Sequence, residues 1–300
     1  MTHPEVPTTQ ADLGPTRIGP TSFRWGERTY VMGIVNVTPD SFSGDGLLST
    51  QSDPVEAAVE LGCRMAEEGA DLLDIGGEST RPGHAPVTVE EELRRVVPVL
   101  AALRASLPHM PLSIDTTKPA VAEAALAAGA DLLNDIWGVG SDDSLARLAA
   151  DRRVPLVIMH NRAEPRYLAL VPEVIADLEA ALDRAVRLGV RWDDLIVDPG
   201  FGFGKTPDQN LAIVRELASL RALGRPILLG TSRKSTLGRV LDLPVEERLE
   251  ATLATTALGI AGGADLIRVH DVRANLRAAR ISDAIVRANW RSEPAQGGPS

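Results

Sequence analysis

The segment Ala128-Gly129-Ala130-Asp131-Leu132-Leu133-Asn134 carries the signal that decides the fold class. It joins an alanine-rich helical pattern, closed by a glycine as helices often are, to a short apolar run that stops at a polar residue. Similar connections occur at residues 69–73 and 263–267. The repetition predicts a helix-to-strand unit that recurs along the chain and serves structure rather than chemistry.

Eight apolar runs rich in β-branched residues alternate with helical patterns along the chain. The runs lie near residues 30–35, 71–75, 112–114, 131–133, 155–159, 195–197, 226–229 and 265–269. The helical patterns lie near residues 54–68, 89–105, 119–128, 145–150, 173–188, 208–223, 245–261 and 272–288. Strands separated by helices pair in parallel, and eight of them within about 250 residues predict a single (β/α)₈ TIM barrel. An open doubly wound sheet is the alternative. We expect the barrel domain to span residues 21–291, between a flexible extension, 1–20, and a flexible tail, 292–300.

Composition and charge favour a globular enzyme. Hydrophobic residues make up 44% of the 300 residues and aromatic ones only 3%, so the core must be built from Ala, Leu, Val and Ile. The formal charge of −10, with acids spread along the chain, argues against nucleic acid as a partner. No segment reaches the ~18 to 20 apolar residues of a membrane span, and a single cysteine cannot form an internal disulfide. We therefore expect a cytoplasmic protein with no membrane partner.

Polar side chains stand where the predicted strands end. In a closed parallel barrel the carboxyl ends of all strands meet on one face, so residues distant in sequence can surround one ligand. Singly, an acid at a strand end can be a helix cap and an amide a turn former. The residues in these positions are Asn36, Asp115, Asn134, Asp198, Lys234, Arg268 and His270.

Two kinds of ligand chemistry follow from this set. Asp115, Asn134 and Asp198 offer donors and acceptors suited to a heterocycle, since a carboxylate can accept two parallel hydrogen bonds from a 2-aminopyrimidinone edge. Arg268 and His270 lie two apart on the last strand, so their side chains point the same way and can clamp one anion. The loops after strands seven and eight are the usual phosphate corner of such barrels.

The glycine-rich segment 198–206 contains Gly204-Lys205-Thr206, which is similar to the end of a nucleotide phosphate loop. Such a loop requires glycine where Pro199 stands and has no acid at the strand end. The segment is better interpreted as a turn that lets a flat ligand approach, with Asp198 aimed at it. His160, at the end of the fifth strand, is assigned a structural hydrogen-bonding role.

Five motifs in order make the chain, over residues 31–272, resemble the dihydropteroate synthase family. They are Asn36-Val37-Thr38-Pro39-Asp40-Ser41-Phe42, Gly76-Gly77-Glu78-Ser79-Thr80-Arg81-Pro82-Gly83, residues 198–206, Ser232-Arg233-Lys234-Ser235 and Arg268-Val269-His270-Asp271. The resemblance implies an enzyme that joins p-aminobenzoate to 6-hydroxymethyl-7,8-dihydropterin diphosphate, giving 7,8-dihydropteroate and diphosphate. It also implies a homodimer.

The same resemblance implies a role for each matching residue. It assigns catalysis to Asp115, Lys234 and Arg268, and pterin binding to Asp115, Asn134, Asp198 and Lys234. It assigns diphosphate binding to Asn36, Thr80, Arg81, Arg268 and His270, with Asn36 acting through Mg²⁺ as the metal ligand. It assigns p-aminobenzoate binding to Phe42, Thr80, Pro82, Phe203 and Ser235.

Two departures from the family pattern leave alternatives open. The acid of the first loop, Asp45, is displaced by one position, and the segment 160–165 after the fifth strand is non-standard, so neither receives a role in binding or catalysis. A pterin-binding methyltransferase acting on methyltetrahydrofolate would share the barrel and the pterin-facing Asn and Asp, but would not need the anion clamp. A catalytically silent pterin-binding paralogue is the non-enzymatic alternative.

Overall fold

The computed structural model describes residues 13–38, 53–78, 87–138 and 142–290. Its strands are β1 (Thr16–Ile18), β2 (Thr21–Phe23), β3 (Tyr30–Asn36), β4 (Leu72–Gly76), β5 (Leu112–Asp115), β6 (Leu132–Asp135), β7 (Leu156–Met159), β8 (Leu195–Asp198), β9 (Leu228–Leu229) and β10 (Leu266–Val269). Its helices are α1 (Pro54–Glu67), α2 (Val89–Ser106), α3 (Pro119–Ala127), α4 (Ser144–Arg152), α5 (Leu170–Arg187), α6 (Pro207–Arg215), α7 (Ser235–Leu241), α8 (Leu249–Ala261) and α9 (Val272–Val286).

Strands β3 to β10 form one parallel eight-stranded sheet in the order β8-β7-β6-β5-β4-β3-β10-β9. The two outer strands meet through a parallel bridge between Val197 and Ile227, where Val197 N–H donates to the Pro226 carbonyl at 3.0 Å. The sheet thus closes on itself, and neighbours in space are neighbours in sequence. This confirms the (β/α)₈ barrel and the eight predicted strands, and the open doubly wound alternative is wrong.

The floor of the barrel is a small apolar cluster sealed by the N-terminal segment. Seven strands each place one buried apolar residue near their amino end: Met32, Leu72, Leu132, Val157, Ile196, Leu228 and Leu266. Against them pack Ile18 and Phe23 of the antiparallel β1–β2 hairpin, together with Trp25. Phe23 is fully buried and its ring lies 4.6 Å from that of Tyr30. The floor keeps the chemistry at the opposite, carboxyl-terminal end.

The predicted flexible extension, 1–20, is therefore wrong for residues 13–20, because β1 buries apolar surface that the barrel floor needs. Residues 1–12 and the predicted tail, 292–300, lie outside the described residues. The alternation of Thr16, Arg17 and Ile18 is too short to stand out as a strand in the sequence.

Two helical predictions differ from the structure. The pattern over 208–223 is α6 followed by a 3₁₀-helix, Leu217–Leu223, whose buried residues Leu217, Leu220 and Leu223 repeat every three positions, as three residues per turn requires. The short helix α7 is not among the predicted helical patterns. Within the described ranges, no helix has the length and apolarity needed to cross a membrane.

Replacing Phe23 by alanine is expected to lower the free energy of unfolding by about 3–5 kcal/mol, since it opens a cavity in the barrel floor. Denaturant titration measures the change. Leu168→Ala is the control, because Leu168 is fully exposed and its loss should stay within about 0.5 kcal/mol. A Phe23→Ala loss below about 1 kcal/mol would show that the hairpin contributes little to the barrel.

Candidate active site

The sequence-predicted residues of the described chain meet at the carboxyl-terminal mouth of the barrel. Asn36, Asp115 and Asp198 each end a strand, and Asn134 stands next to the last residue of β6. Strand register places Asn36 beside Gly76, Gly76 beside Asp115 and Asp115 beside Asn134. Gly76 has no side chain there, and a Cβ on it would stand 3.6 Å from Asn36 Oδ1. Asn36 and Asp115 therefore flank the open position above Gly76, and Asn134 stands beside Asp115 on the next strand.

Arg268 links this cluster across the barrel. Its Nε donates to Asp74 Oδ2 at 2.5 Å, and its Nη2 donates to Asp115 Oδ2 at 2.7 Å. Asn134 Nδ2 donates to the same Asp74 oxygen at 3.0 Å. One guanidinium thus holds two carboxylates from neighbouring strands, and one of these also holds an amide. Arg268 is not available as a fully open anion clamp, since two of its five N–H groups are used inside the barrel.

Asp74 is the functional residue that the sequence analysis missed. It is fully buried at the centre of β4, Leu72-Leu73-Asp74-Ile75-Gly76. Its Oδ1 has no hydrogen-bond partner among the described residues. The signal was present in the sequence: an acid inside an otherwise apolar strand must be compensated by a partner.

Asp74 also determines what Asn134 presents to a ligand. A carboxylate oxygen only accepts hydrogen bonds, so the amide must direct its Nδ2 to Asp74. The amide oxygen then points the other way, as an acceptor. Asn134 is accordingly set to accept from a donor such as a ring amino group.

Asp198 and Lys234 form the second half of the site. Asp198 Oδ1 accepts from the Gly200 N–H at 2.7 Å. Lys234, at the residue preceding α7, donates to the Phe201 carbonyl and places its Nζ 4.3 Å from the centre of the Phe203 ring. A lysine, a carboxylate and an aromatic ring thus stand together beside the Arg268 cluster.

Burial shifts the pKa values of the site groups. It raises the pKa of Asp115 to about 7, against the charge of Arg268. It lowers the pKa of Lys234 to about 8, against the charge of Asp198, and raises the pKa of Asp198. For Arg268, burial lowers the pKa, but Asp74 and Asp115 outweigh it and the net shift is upward. Asp115 and Lys234 are therefore poised to titrate near neutral pH.

The predicted anion corner is built from the ends of β10 and the segment before α7. His270 Nδ1 lies 2.9 Å from Ser232 Oγ, while Arg233 forms a bidentate pair with Asp271 at 2.6 and 3.0 Å. Ser235 is the first residue of α7 and is exposed. Arg233 and Asp271 neutralise each other.

Four predicted site residues lie outside the described residues. They are Phe42, Thr80, Arg81 and Pro82. Asp45 also lies outside them. The roles assigned to these positions stay predictions.

Asn36 is the predicted Mg²⁺ ligand, and its amide oxygen faces the open position above Gly76. Within the described ranges, His, Cys, Asp and Glu form no group of three that could hold a metal ion. Mg²⁺ commonly binds through one or two protein oxygens together with water and substrate phosphates. A single amide oxygen beside the anion corner fits that pattern, with the substrate supplying most ligands.

Comparison with known proteins agrees with this geometry. A model of the pterin binding enzyme family matches residues 32–270. The dihydropteroate synthase of Clostridium beijerinckii is 49% identical over 272 residues, covering 90% of this chain and 99% of the relative. This chain belongs to the dihydropteroate synthase family. Members of the family are transferases.

Solved structures of the family superpose closely on the barrel. A dihydropteroate synthase from Clostridium difficile, crystallised in the presence of pteroic acid, has a TM-score of 0.83 at 46% identity, covering 88% of this chain and 99% of that one. The Xanthomonas albilineans enzyme in complex with 7,8-dihydropteroate has a TM-score of 0.79 at 45% identity, covering 87% and 94%. The family resemblance and the TIM-barrel prediction are both confirmed.

Asp74→Asn is expected to lower kcat/KM for the pterin substrate about 10- to 100-fold, because it weakens charged hydrogen bonds to Arg268 and Asn134. Steady-state kinetics measure it. Asp71→Asn is the matched control: Asp71 pairs with Arg28 at the opposite end of the barrel and should affect stability without changing the KM for pterin. Equal kinetic losses in both variants would refute the role of Asp74.

Proposed function

We propose that this chain joins p-aminobenzoate to 6-hydroxymethyl-7,8-dihydropterin diphosphate, releasing diphosphate and giving 7,8-dihydropteroate. The observation that carries the proposal is the Arg268 network, which brings Asp115 and Asn134 to one opening of the barrel. The family membership supports it, as does the relative from Xanthomonas albilineans that binds 7,8-dihydropteroate.

The pterin ring would lie deep in the mouth, between the two halves of the site. Asp115 and Asp198 supply carboxylates, Asn134 supplies an amide oxygen, and Lys234 supplies a donor. A 2-amino-4-oxo pterin offers amino and ring N–H donors beside a carbonyl acceptor, and this pattern complements those groups. Burial of the carboxylates makes each hydrogen bond to them stronger than it would be in water.

The reaction breaks the bond between the pterin methylene carbon and the diphosphate oxygen, and forms a bond from that carbon to the p-aminobenzoate nitrogen. As diphosphate leaves, positive charge grows on the electron-rich pterin and negative charge grows on the leaving group. Asp115, when ionised, stabilises the first charge. Arg268 and His270 stabilise the second. The amine attacks as a neutral nucleophile and loses its proton afterwards to solvent.

Mg²⁺ is proposed as the metal that enters with the diphosphate. Asn36 would hold it through its amide oxygen, beside the phosphates bound by Thr80, Arg81 and His270. The ion supplies charge neutralisation for the departing phosphate oxygens. Unchanged activity after removal of divalent cations with a chelator would refute this assignment.

p-Aminobenzoate would lie nearer the surface than the pterin. Phe203 is half-buried and packs beside Lys234, so its ring can form one wall. Phe42, Thr80 and Pro82 are proposed as the rest of the pocket. Ser235, exposed at the start of α7, would bind the carboxylate together with the helix N–H groups.

A homodimer in the cytoplasm completes the proposal. Exposed apolar side chains support the dimer: Ile281 and Ile285 lie four residues apart on one face of α9 and are 61% and 75% exposed, and Leu258 on the adjoining α8 is 61% exposed. Sedimentation as a monomer at micromolar concentration would refute it.

The half-buried free thiol of Cys63 is compatible with a reducing compartment.

A coupled diphosphate-release assay with and without p-aminobenzoate tests the reaction. We expect release in step with 7,8-dihydropteroate formation when both substrates and Mg²⁺ are present. A methyltransferase acting on methyltetrahydrofolate would release no diphosphate, and a silent paralogue would bind the pterin without turnover. Either result would refute the proposed reaction.

Asp115→Asn is expected to lower kcat about 10²- to 10³-fold while pterin binding largely remains, because the amide keeps a hydrogen bond but lacks the negative charge. Because burial raises the pKa of Asp115 to about 7, wild-type kcat/KM should fall as the pH drops below about 7 and the carboxyl protonates. Measured pH profiles of the two proteins check this. If the variant shows the same fall in kcat/KM at low pH as the wild type, that fall belongs to the titration of another group.

A further inference from the structure

The glycine-rich segment 199–205 is here called the glycine loop. It contains Phe203 and contacts Asp198, two residues that the proposed function uses. Its glycine-rich backbone does not by itself fix their positions. Gly200, Gly202 and Gly204 adopt positive φ angles of 70°, 85° and 53°. Glycine is the residue that loses most conformational freedom on folding, so three of them in one short turn favour an ensemble of shapes. A contact from outside these glycines must stabilise the loop conformation seen here.

The side chain of Lys205 makes that contact. Its Nζ lies 3.1 Å from the Gly200 carbonyl, 3.1 Å from the Phe203 carbonyl and 3.0 Å from His160 Nδ1. All three contacts point inward, beneath the loop. The lysine of the Gly-Lys-Thr sequence therefore does not extend toward a phosphate but is used to bind the loop's own backbone.

We propose that Lys205 is a positioning residue, whose ammonium group holds the glycine loop in the shape that presents Asp198 and Phe203 to the pterin site. The connections are direct. Asp198 Oδ1 accepts from the Gly200 N–H, so a shift at Gly200 moves the carboxylate. The Phe203 ring faces Lys234, whose Nζ also binds the Phe201 carbonyl of the same loop.

His160 is the fixed support of this arrangement. It is fully buried, and its N–H donates to the Asp198 carbonyl at 2.9 Å. Its Nδ1 accepts from the Lys205 ammonium, so its Nε2 carries the proton and donates to Asp177 Oδ2 at 3.1 Å. Arg162 in turn donates to the same Asp177 oxygen at 2.8 Å. The predicted structural role of His160 fits these contacts, and it extends to the site through Lys205.

The three acceptors around Nζ make the conformation of the glycine loop depend on the protonation of Lys205. An ammonium has three N–H donors, whereas a neutral amine has two, so only the charged form binds all three acceptors. Burial lowers the pKa of Lys205 to about 7. The charged groups facing it are Asp198 and Asp177, which favour the ammonium, and Lys234 and Arg162, which oppose it. Burial and the Lys205 charge lower the pKa of His160 to about 4, so the imidazole stays neutral in this range.

This inference rests on the proposed function for its kinetic consequence but not for its structural one. In Lys205→Met, we expect kcat/KM for the pterin diphosphate to fall about 10- to 100-fold, because small displacements of Asp198 and Phe203 weaken their contacts with the substrate. Wild-type kcat/KM should decline as the pH rises above about 7, and the variant should lack that step, keeping only the decline near the pKa of Lys234, about 8.

The matched control is Thr206→Ala, on the adjoining residue. Thr206 forms a capping box with Gln209 at the start of α6, so its loss should lower the melting temperature by about 2 to 4 °C without changing the pH profile. A Lys205→Met variant that loses stability but retains wild-type kcat/KM and the alkaline step would overturn the proposal.

Amide hydrogen exchange separates this inference from the reaction itself. In Lys205→Met, the Gly202 and Phe203 amides, which donate to Asn210 Oδ1 and to the Gly200 carbonyl, should exchange faster than in the wild type and in Thr206→Ala. If the wild type forms no dihydropteroate, the proposed function fails, and the exchange result still decides the role of Lys205. Unchanged exchange at both amides would refute it.

Discussion

The site depends on one shared interaction: the guanidinium of Arg268 lies between the carboxylates of Asp74 and Asp115 inside the barrel. These partners stand 194 and 153 residues away in sequence, on β4 and β5, while Arg268 belongs to β10. Burying one cation with two carboxylates costs desolvation free energy, which only well-aligned ion pairs can offset. The closed sheet supplies that geometry, because its strands hold all three backbones at fixed spacing.

From this constraint the rest of the mouth follows. Asp74 uses the same oxygen to orient Asn134, so the cation and the amide are coupled through one carboxylate. At the other end of the barrel, the β1–β2 hairpin packs against the apolar residues of the floor. On the other side, Asp198 ends β8 and pairs with β7, while its carboxylate and Lys234 also make hydrogen bonds to the backbone of the glycine loop. The site thus has one half built on strands alone and one half that also depends on loop contacts.

The sequence predicted most of the fold because its signals were local and repeated. Short β-branched runs that alternate with alanine-rich helices predict parallel strands, eight of them favour a barrel over an open sheet, and the polar residues after the runs mark the mouth. The hairpin was missed because its two three-residue strands have no periodicity, and its value lies entirely in what it covers. The 3₁₀-helix after α6 was missed since its spacing of three resembles a helical pattern.

For the site, strand-end position identified Asp115, Asn134, Asp198 and Arg268, but not how they interact. Asp74 lies two residues before the end of β4, so the sequence analysis included it in the apolar run. The sequence around Lys205 is similar to the end of a nucleotide phosphate loop, and only the three-dimensional structure shows that its Nζ binds backbone carbonyls of the same loop. Contacts of this kind depend on loop conformation, and a one-dimensional pattern contains no information about it.

A crystal structure of the protein with 6-hydroxymethyl-7,8-dihydropterin diphosphate is the most direct measurement of whether one ligand joins the two halves. We expect the pterin ring to lie within hydrogen-bond distance of Asp115, Asn134, Asp198 and Lys234, and the diphosphate to contact Arg268 and His270. A ligand bound elsewhere, or a pterin that contacts only one half of this set, would contradict it.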